Sequence, residues 1–259
     1  MAGHWPPVQD LKRGVCTSVE SRRPLFGPSV QWGYRGWIDA ALIIVADDYG
    51  YSGPTSEGII RAACAEAIDA ASAMVLRPWC DPGPLLETGV EVGLHLESDP
   101  GESHGAEARR QADLFERLFG RPPAHIDGHH HCHAEAPLDA AVAELAAELG
   151  ARVRSVDDRH RQALRDRGID TPDRLIGRLS SIEPALPGEI RGLAEEGSPL
   201  PPGLTEWMVH PGLADPALGS SYGEARVEDL ELLLEQAANP ALREVRSLAD
   251  PDVANGGLG

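Results

Sequence analysis

This chain has no surplus of basic charge. Its 259 residues carry 23 Lys and Arg against 41 Asp and Glu, a formal charge of −18. Binding to nucleic acid needs a basic face to neutralise phosphate, and an anionic membrane surface demands the same. Neither is an expected partner; the acidity speaks for solubility and names no substrate. No stretch approaches the ~20 consecutive apolar residues of a membrane helix. The first 35 residues hold no continuous apolar run of the kind a secretory signal needs. Cysteine is scarce: Cys16, Cys64, Cys80 and Cys132 form no C-x-x-C pair. The chain is too long for a disulfide scaffold, so reduced thiols and a cytoplasmic location are expected. No Walker-type phosphate loop occurs, which argues against nucleotide hydrolysis. Internal repeats and a linker that would split the core are also missing.

What the chain does have is alternation. Residues 41–46, ALIIVA, are apolar on both faces, as in a parallel strand covered on both sides. After Pro54, a helix is predicted from Ile59, Ile60, Ala63, Cys64, Ala67 and Ile68, which recur at helical spacing. Further strands are predicted at 72–76, 90–96, 124–127, 153–156, 205–209 and 244–248. Helices are predicted at 84–87, at 107–119 with Gly120 as cap, and around Leu138, Val142, Leu145 and Leu149, ending at Gly150. A last helix spans 227–238, with Val227, Leu230, Leu234 and Ala237 on one face. Residues 157–202, charged and broken by proline, read as short helices and loops. The alternation predicts an α/β fold, either a parallel sheet or a (β/α) barrel. It forms one domain over 40–250, between an irregular extension over 1–39 and a frayed tail over 251–259.

The densest chemistry lies in HIDGHHHCH, His125–His133, which holds five of the ten histidines. Imidazole is the commonest neutral metal ligand, and a nearby carboxylate can ligate, orient or accept a proton. A purification tag would sit at a terminus; this segment is internal and contains Asp127. Cys132 is set aside as a ligand because alternate residues of an extended segment face opposite ways.

Other polar groups share one feature with the cluster. Asp47 and Asp48 follow the first strand, His95 ends another, His129 follows a third and His210 ends a fourth. Functional groups gather at the carboxyl ends of strands in parallel α/β folds, so these residues can meet. Two histidines and a carboxylate on a divalent cation leave positions for water and substrate. The cation would lower the pKa of water and polarise a carbonyl, a second carboxylate could take the proton, and a histidine could protonate a leaving group. This is equipment for hydrolysing an amide or ester.

Four blocks then resemble the YdjC-like carbohydrate deacetylases (ChbG/HpnK family): IIVADDYGYS at Ile43–Ser52, VGLHLE at Val92–Glu97, PAHIDGHHHCH at Pro123–His133 and TEWMVHPG at Thr205–Gly212. A weaker fifth is YGEARVEDLELL at Tyr222–Leu233. The resemblance implies a distorted (β/α) barrel similar to NodB-type polysaccharide deacetylases. It implies metal-dependent removal of an N-acetyl group from an amino sugar, releasing acetate, with one magnesium or zinc ion. By motif position Asp48, His95 and His129 would be the metal ligands, Asp47 the general base, and His210 the group that stabilises the intermediate or protonates the amine. Asp127 would orient a ligand imidazole. Tyr49, Trp79, His131, His133 and Arg154 are candidate substrate contacts, and a homodimer is an expectation from the family alone. Four features depart from the family pattern: the 1–39 extension, a short stretch between GLHL and HID where longer members carry an insertion, Arg77 and Trp79 where small polar residues are usual, and Gly128 where serine is usual. They bear on substrate identity more than on reaction type. A hydrolase of another amide, ester or phosphoester, and a non-catalytic metal- or sugar-binding protein, are the rival readings.

Overall fold

The computed structural model describes residues 40–98, 104–178, 183–218 and 222–247. The expectations for 1–39 and 251–259 lie outside these. The elements are β1 (Ala41–Tyr49), α1 (Gly53–Cys64), β2 (Ala70–Ala73), α2 (Pro82–Thr88), β3 (Glu91–Leu96), α3 (His104–Phe119) and β4 (His125–Gly128). A 3₁₀ turn (His129–Ala134) leads to α4 (Leu138–Leu149), β5 (Arg152–Val153), α5 (Asp158–Asp166) and β6 (Arg174–Ile176). The described chain closes with α6 (Gly188–Glu196), β7 (Leu204–Val209), α7 (Gly223–Gln236) and α8 (Pro240–Ser247). Every strand pair is parallel, in the order β5-β4-β3-β2-β1-β7-β6.

The sheet is curled into a distorted barrel. In a flat sheet, β5 and β1 would stand four spacings apart, about 19 Å at ~4.8 Å per spacing. Yet Arg154, just past β5, bonds Asp47 of β1 at 2.6 and 2.7 Å and also reaches Glu206 of β7. The two ends of the ladder are bridged as well: Val153 N donates to Asp170 O at 3.0 Å, and Ser155 Oγ to Pro172 O at 3.1 Å, just before β6.

Alternation along β1 separates two environments. Leu42, Ile44 and Ala46 face the helices and belong to the main core with Ile59, Leu94, Phe115, Val142 and Trp207. Ala41, Ile43 and Val45 face the barrel interior with Ala70, a small apolar floor. Above that floor the interior is polar, because the next inward positions are Asp47, Ser72, His95, Asp127, Arg154 and Glu206, all buried.

The structure corrects several expectations. The second strand starts at Ala70 rather than Ser72, and Leu76 lies in an exposed turn. Alanines line this tightly curved wall, and alanine carries little strand signal. The final strand expected at 244–248 is the helix α8 over its described part. Asn239 Oδ1 accepts from Ala241 N at 3.0 Å and Leu242 N at 3.4 Å, capping that helix. Arg246 then forks onto the Asp69 carboxylate at 2.7–3.1 Å and pins its end. On α7 the buried face is Ala225, Arg226, Asp229, Leu230 and Leu233, while Leu234 is exposed. The stripe is rotated so that two charged residues point inward. Among the described residues, Cys80 and Cys132 are free and buried. Among the described residues, no helix is long and apolar enough to cross a membrane.

Candidate functional site

Two consecutive aspartates reach the same mouth because the strand breaks its own alternation between them. Asp47 continues the inward positions of β1. Asp48 takes a left-handed backbone, φ 73°, which L-residues adopt at a cost of roughly 1–2 kcal/mol and aspartate tolerates better than most. The pairing of β1 with β2 becomes irregular between Ala46 and Tyr49, and Tyr51 N closes a turn onto Asp48 O at 3.0 Å. Backbone strain of this kind persists where the surroundings enforce it, commonly at functional sites.

The Asp48 carboxylate is the hub. Its Oδ1 lies 3.2 Å from His95 Nε2 and 3.0 Å from His129 Nδ1, and its Oδ2 accepts from Arg226 Nη2 at 2.6 Å. Burial pushes its pKa up, but His129, His95 and Arg226 together hold it well below the ordinary carboxylate value. His95 and Asp127 sit opposite each other in the β3–β4 ladder, and His95 Nδ1 lies 2.7 Å from Asp127 Oδ1. Burial pushes the His95 pKa down, yet the Asp127 charge and hydrogen bond, with Asp48 and Asp47, raise it to about 10. Below Asp127 the polar column continues. Ser72 Oγ donates to Asp127 Oδ2 at 2.7 Å and lies 3.0 Å from His125 Nε2; the His125 Nδ1 side faces Glu91, which pairs with Arg152.

Asp47 is clamped from the other side. Arg154 binds both its oxygens, and also reaches Asp127 at 2.8 Å and Glu206. The imidazole of His210, past the end of β7, brings Nε2 to 4.0 Å from Asp47 Oδ2. His210 packs on the Tyr222 ring with centroids 5.1 Å apart, and its backbone N donates to Asp229 Oδ2 at 2.9 Å. Burial pushes the His210 pKa down to about 4, leaving the ring neutral at neutral pH.

The histidine cluster divides its work. His125 points into the barrel. Gly128 ends β4, where a Cβ would stand 2.8 Å from Cys132 Sγ and 3.0 Å from His133 N, so any side chain here needs Cys132 to give way. His129 then reaches Asp48. His130 and His131 adopt left-handed backbone, φ 53° and 59°, which turns the chain sharply away from the strand. His133 is fully buried, with Nε2 3.0 Å from Arg154 O.

The structure brings Asp48, His95, His129, Asp47 and His210 to one place, with Asp127 behind His95. The weaker candidates are scattered. Tyr49 is buried in the helix-side core and donates its hydroxyl to Asp81 O at 2.6 Å. Trp79 is exposed, its ring over Gly53 at the start of α1. His133 and Arg154 are buried beneath the site and face protein groups. His131 is half-buried, its ring centroid 6.1 Å from that of His133. Sequence reasoning missed Arg226, Asp229, Glu206 and Tyr51. Arg226 and Asp229 sit three apart on α7, a charged pair on the face that buries apolar residues, and that spacing was the available signal. Glu206 shares strand parity with His210. Tyr51 stacks near His129, with centroids 5.6 Å apart, under the Arg226 guanidinium.

One nitrogen or oxygen from each of Asp48, His95 and His129 lies within 4.8 Å of the others. The donor set fits a divalent cation. An ion with ~2.0–2.1 Å bonds spaces its ligand atoms about 3.3 Å apart in a tetrahedron and about 2.9 Å apart in an octahedron. The measured contacts of Asp48 Oδ1, 3.0 and 3.2 Å, lie between these. The second nitrogen of His95 is held by Asp127, as metal-bound histidines usually are.

The family model described as "YdjC-like protein" matches residues 41–106 and 102–255. A chitooligosaccharide deacetylase of Serratia marcescens is 26% identical over 252 residues, covering 80% of this chain and 96% of that protein. The enzyme of the same name from Klebsiella pneumoniae (strain 342) is 27% identical over 250 residues, with the same coverage. A solved structure from Enterococcus faecalis V583, named for cellobiose-phosphate cleavage, superposes with a TM-score of 0.67 at 21% identity, covering 80% of this chain and 95% of that one. That likeness concerns the fold.

Proposed function

The chain belongs to the YdjC-like protein family, and we propose that it is a hydrolase that removes N-acetyl groups from amino sugars in small oligosaccharides of the chitooligosaccharide kind, using one divalent cation. The observation that carries this reading is the pairing of a three-residue donor set with a second, clamped carboxylate beside it. The substrate class rests on the names of the relatives at 26–27% identity.

Asp48, His95 and His129 would hold the cation, which when bound would acidify water and polarise the acetyl carbonyl. Asp47 takes the proton of the attacking water. Arg154 fixes both Asp47 oxygens, and each keeps a further lone pair for that proton. His210 stands 4.0 Å from Asp47 and, being neutral, can relay the proton that Asp47 has taken from water to the departing amine, which frees Asp47 again. Asp127 keeps the His95 ring oriented from behind.

The purified protein, supplied with zinc or magnesium, should release acetate from N,N′-diacetylchitobiose, and a chelator should stop it. Asp47→Asn should reduce turnover by roughly 10²–10⁴-fold, the usual range for loss of a general base. Turnover that survives both Asp47→Asn and chelation rules the mechanism out. Cation binding without release of acetate or any other acid from an amide and ester panel supports a binding protein instead.

A further inference from the structure

Arg226 is a buried charge that the steps above leave unused. Its side chain is 4% exposed, with Nη2 on Asp48 Oδ2 and the guanidinium 5.4 Å from the Tyr51 ring centroid. Among the described residues, Nε and Nη1 are buried without a hydrogen-bond partner. The residue is held rigidly. Gly212 N donates to Arg226 O at 3.0 Å, and Leu213 N donates to Pro54 O at 3.0 Å, which ties α7 to the loop after His210 and to α1. A Cβ on Gly58 would stand 2.4 Å from Gly212 Cα, so helix and loop touch backbone to backbone.

We propose that Arg226 is a positioning residue for the cation. By occupying Asp48 Oδ2 it leaves Oδ1 alone to face His95 and His129, so that Asp48 would offer a cation one oxygen and leave coordination positions open. Its positive charge also opposes the cation across the carboxylate. Arg226 therefore weakens cation binding and keeps the bound ion a stronger electrophile, since the charge of its single carboxylate ligand is already offset. A carboxylate free to bind through both oxygens would hold the ion more tightly and occupy a position that water or substrate needs. The inference rests on the reading that Asp48, His95 and His129 hold a divalent cation.

The test is calorimetric titration of zinc and cobalt(II) into metal-free protein, with the cobalt(II) absorption spectrum as a second readout. Arg226→Met, which keeps the stem and loses the charge, should bind roughly tenfold tighter than the natural chain or more, equal to about 1.4 kcal/mol. Its cobalt spectrum should change, and its turnover when loaded should fall. Arg226→Lys should keep an affinity near that of the natural chain, and Arg226→Gln should shift the same way as Met and serves if the Met variant does not fold. A purely structural role would weaken binding on substitution. Unchanged or weaker affinity in the folded Met and Gln variants, or a Lys variant as tight as Met, overturns the proposal. No cation binding by the natural chain would instead overturn the reading beneath it.

Discussion

The layer between sheet and helices and the interior of the barrel are built on opposite principles. Outside, Leu42, Ile44, Leu94, Phe115 and Trp207 pack into a continuous apolar core. Inside, an apolar floor of four residues gives way to a stack of charges, and Arg154 alone touches Asp47, Asp127 and Glu206. Apolar burial supplies most of the stability of a domain, whereas a buried ion network is weak evidence of stability and can cost more than it returns. The contrast teaches that the outer layer holds the fold and the inner one holds the geometry of the site. Through Arg154 and Asp127 the charged interior links Asp47 to His95.

That division can be broken from the inside first. Arg154→Met leaves three carboxylates buried without their cation; removing one partner of a buried pair costs roughly 3–5 kcal/mol. Urea unfolding should show that loss, and turnover should go with it. The corresponding cut on the outside is Phe115→Ala, expected to cost about 3 kcal/mol or more while cation affinity stays unchanged. If Phe115→Ala altered cation affinity as strongly as an interior change does, the separation of the two layers would be wrong. A gentler interior change sharpens the comparison. Ser72→Ala removes the hydroxyl that joins His125 to Asp127, so it should cost about 1 kcal/mol in unfolding and about tenfold or more in cation affinity through a loosened His95.

The smallest effect is a dependence on pH carried by histidines at and beneath the site. Burial pushes His133 down to about 3 and His210 to about 4, below the ordinary ~6.5. The unfolded chain then binds protons that the folded one refuses, so their contribution is intact above about pH 6.5 and is lost as pH falls towards 4 and 3. His95 has the opposite sign. Raised to about 10, its contribution is full below about pH 6.5 and fades as pH rises through 10. The metal-free protein should therefore melt highest near neutrality, and His210→Gln should soften the acid side of that profile. An acid limb that His210→Gln leaves unaltered would count against the neutral His210 ring.

Much of this arrangement was legible in the chain. β1 opens on a continuous apolar run and β3 and β7 are mixed but recognisable strands, and placing Asp47, Asp48, His95, His129 and His210 at strand ends was enough to gather them. The rest was hidden for physical reasons. β5 and β6 span two and three residues, too short for any period to show. Arg154 follows one of them, and nothing local says whether its side chain turns out to substrate or in to carboxylates. The left-handed Asp48 breaks the alternation that strand reading relies on, and it places Tyr49 in the core instead of at the site. Arg226 comes from a helix, outside the strand-end rule, and announces itself only as a charge on an apolar face.

The central claim is that Asp48, His95 and His129 together hold one divalent cation beside Asp47. Its most direct test is equilibrium titration of zinc into the metal-free natural chain and into His129→Ala. One ion per natural chain, with binding weakened by about a hundredfold or more in His129→Ala, is the predicted result, since the three-ligand set would fall to two. Equal affinity in both proteins would contradict it.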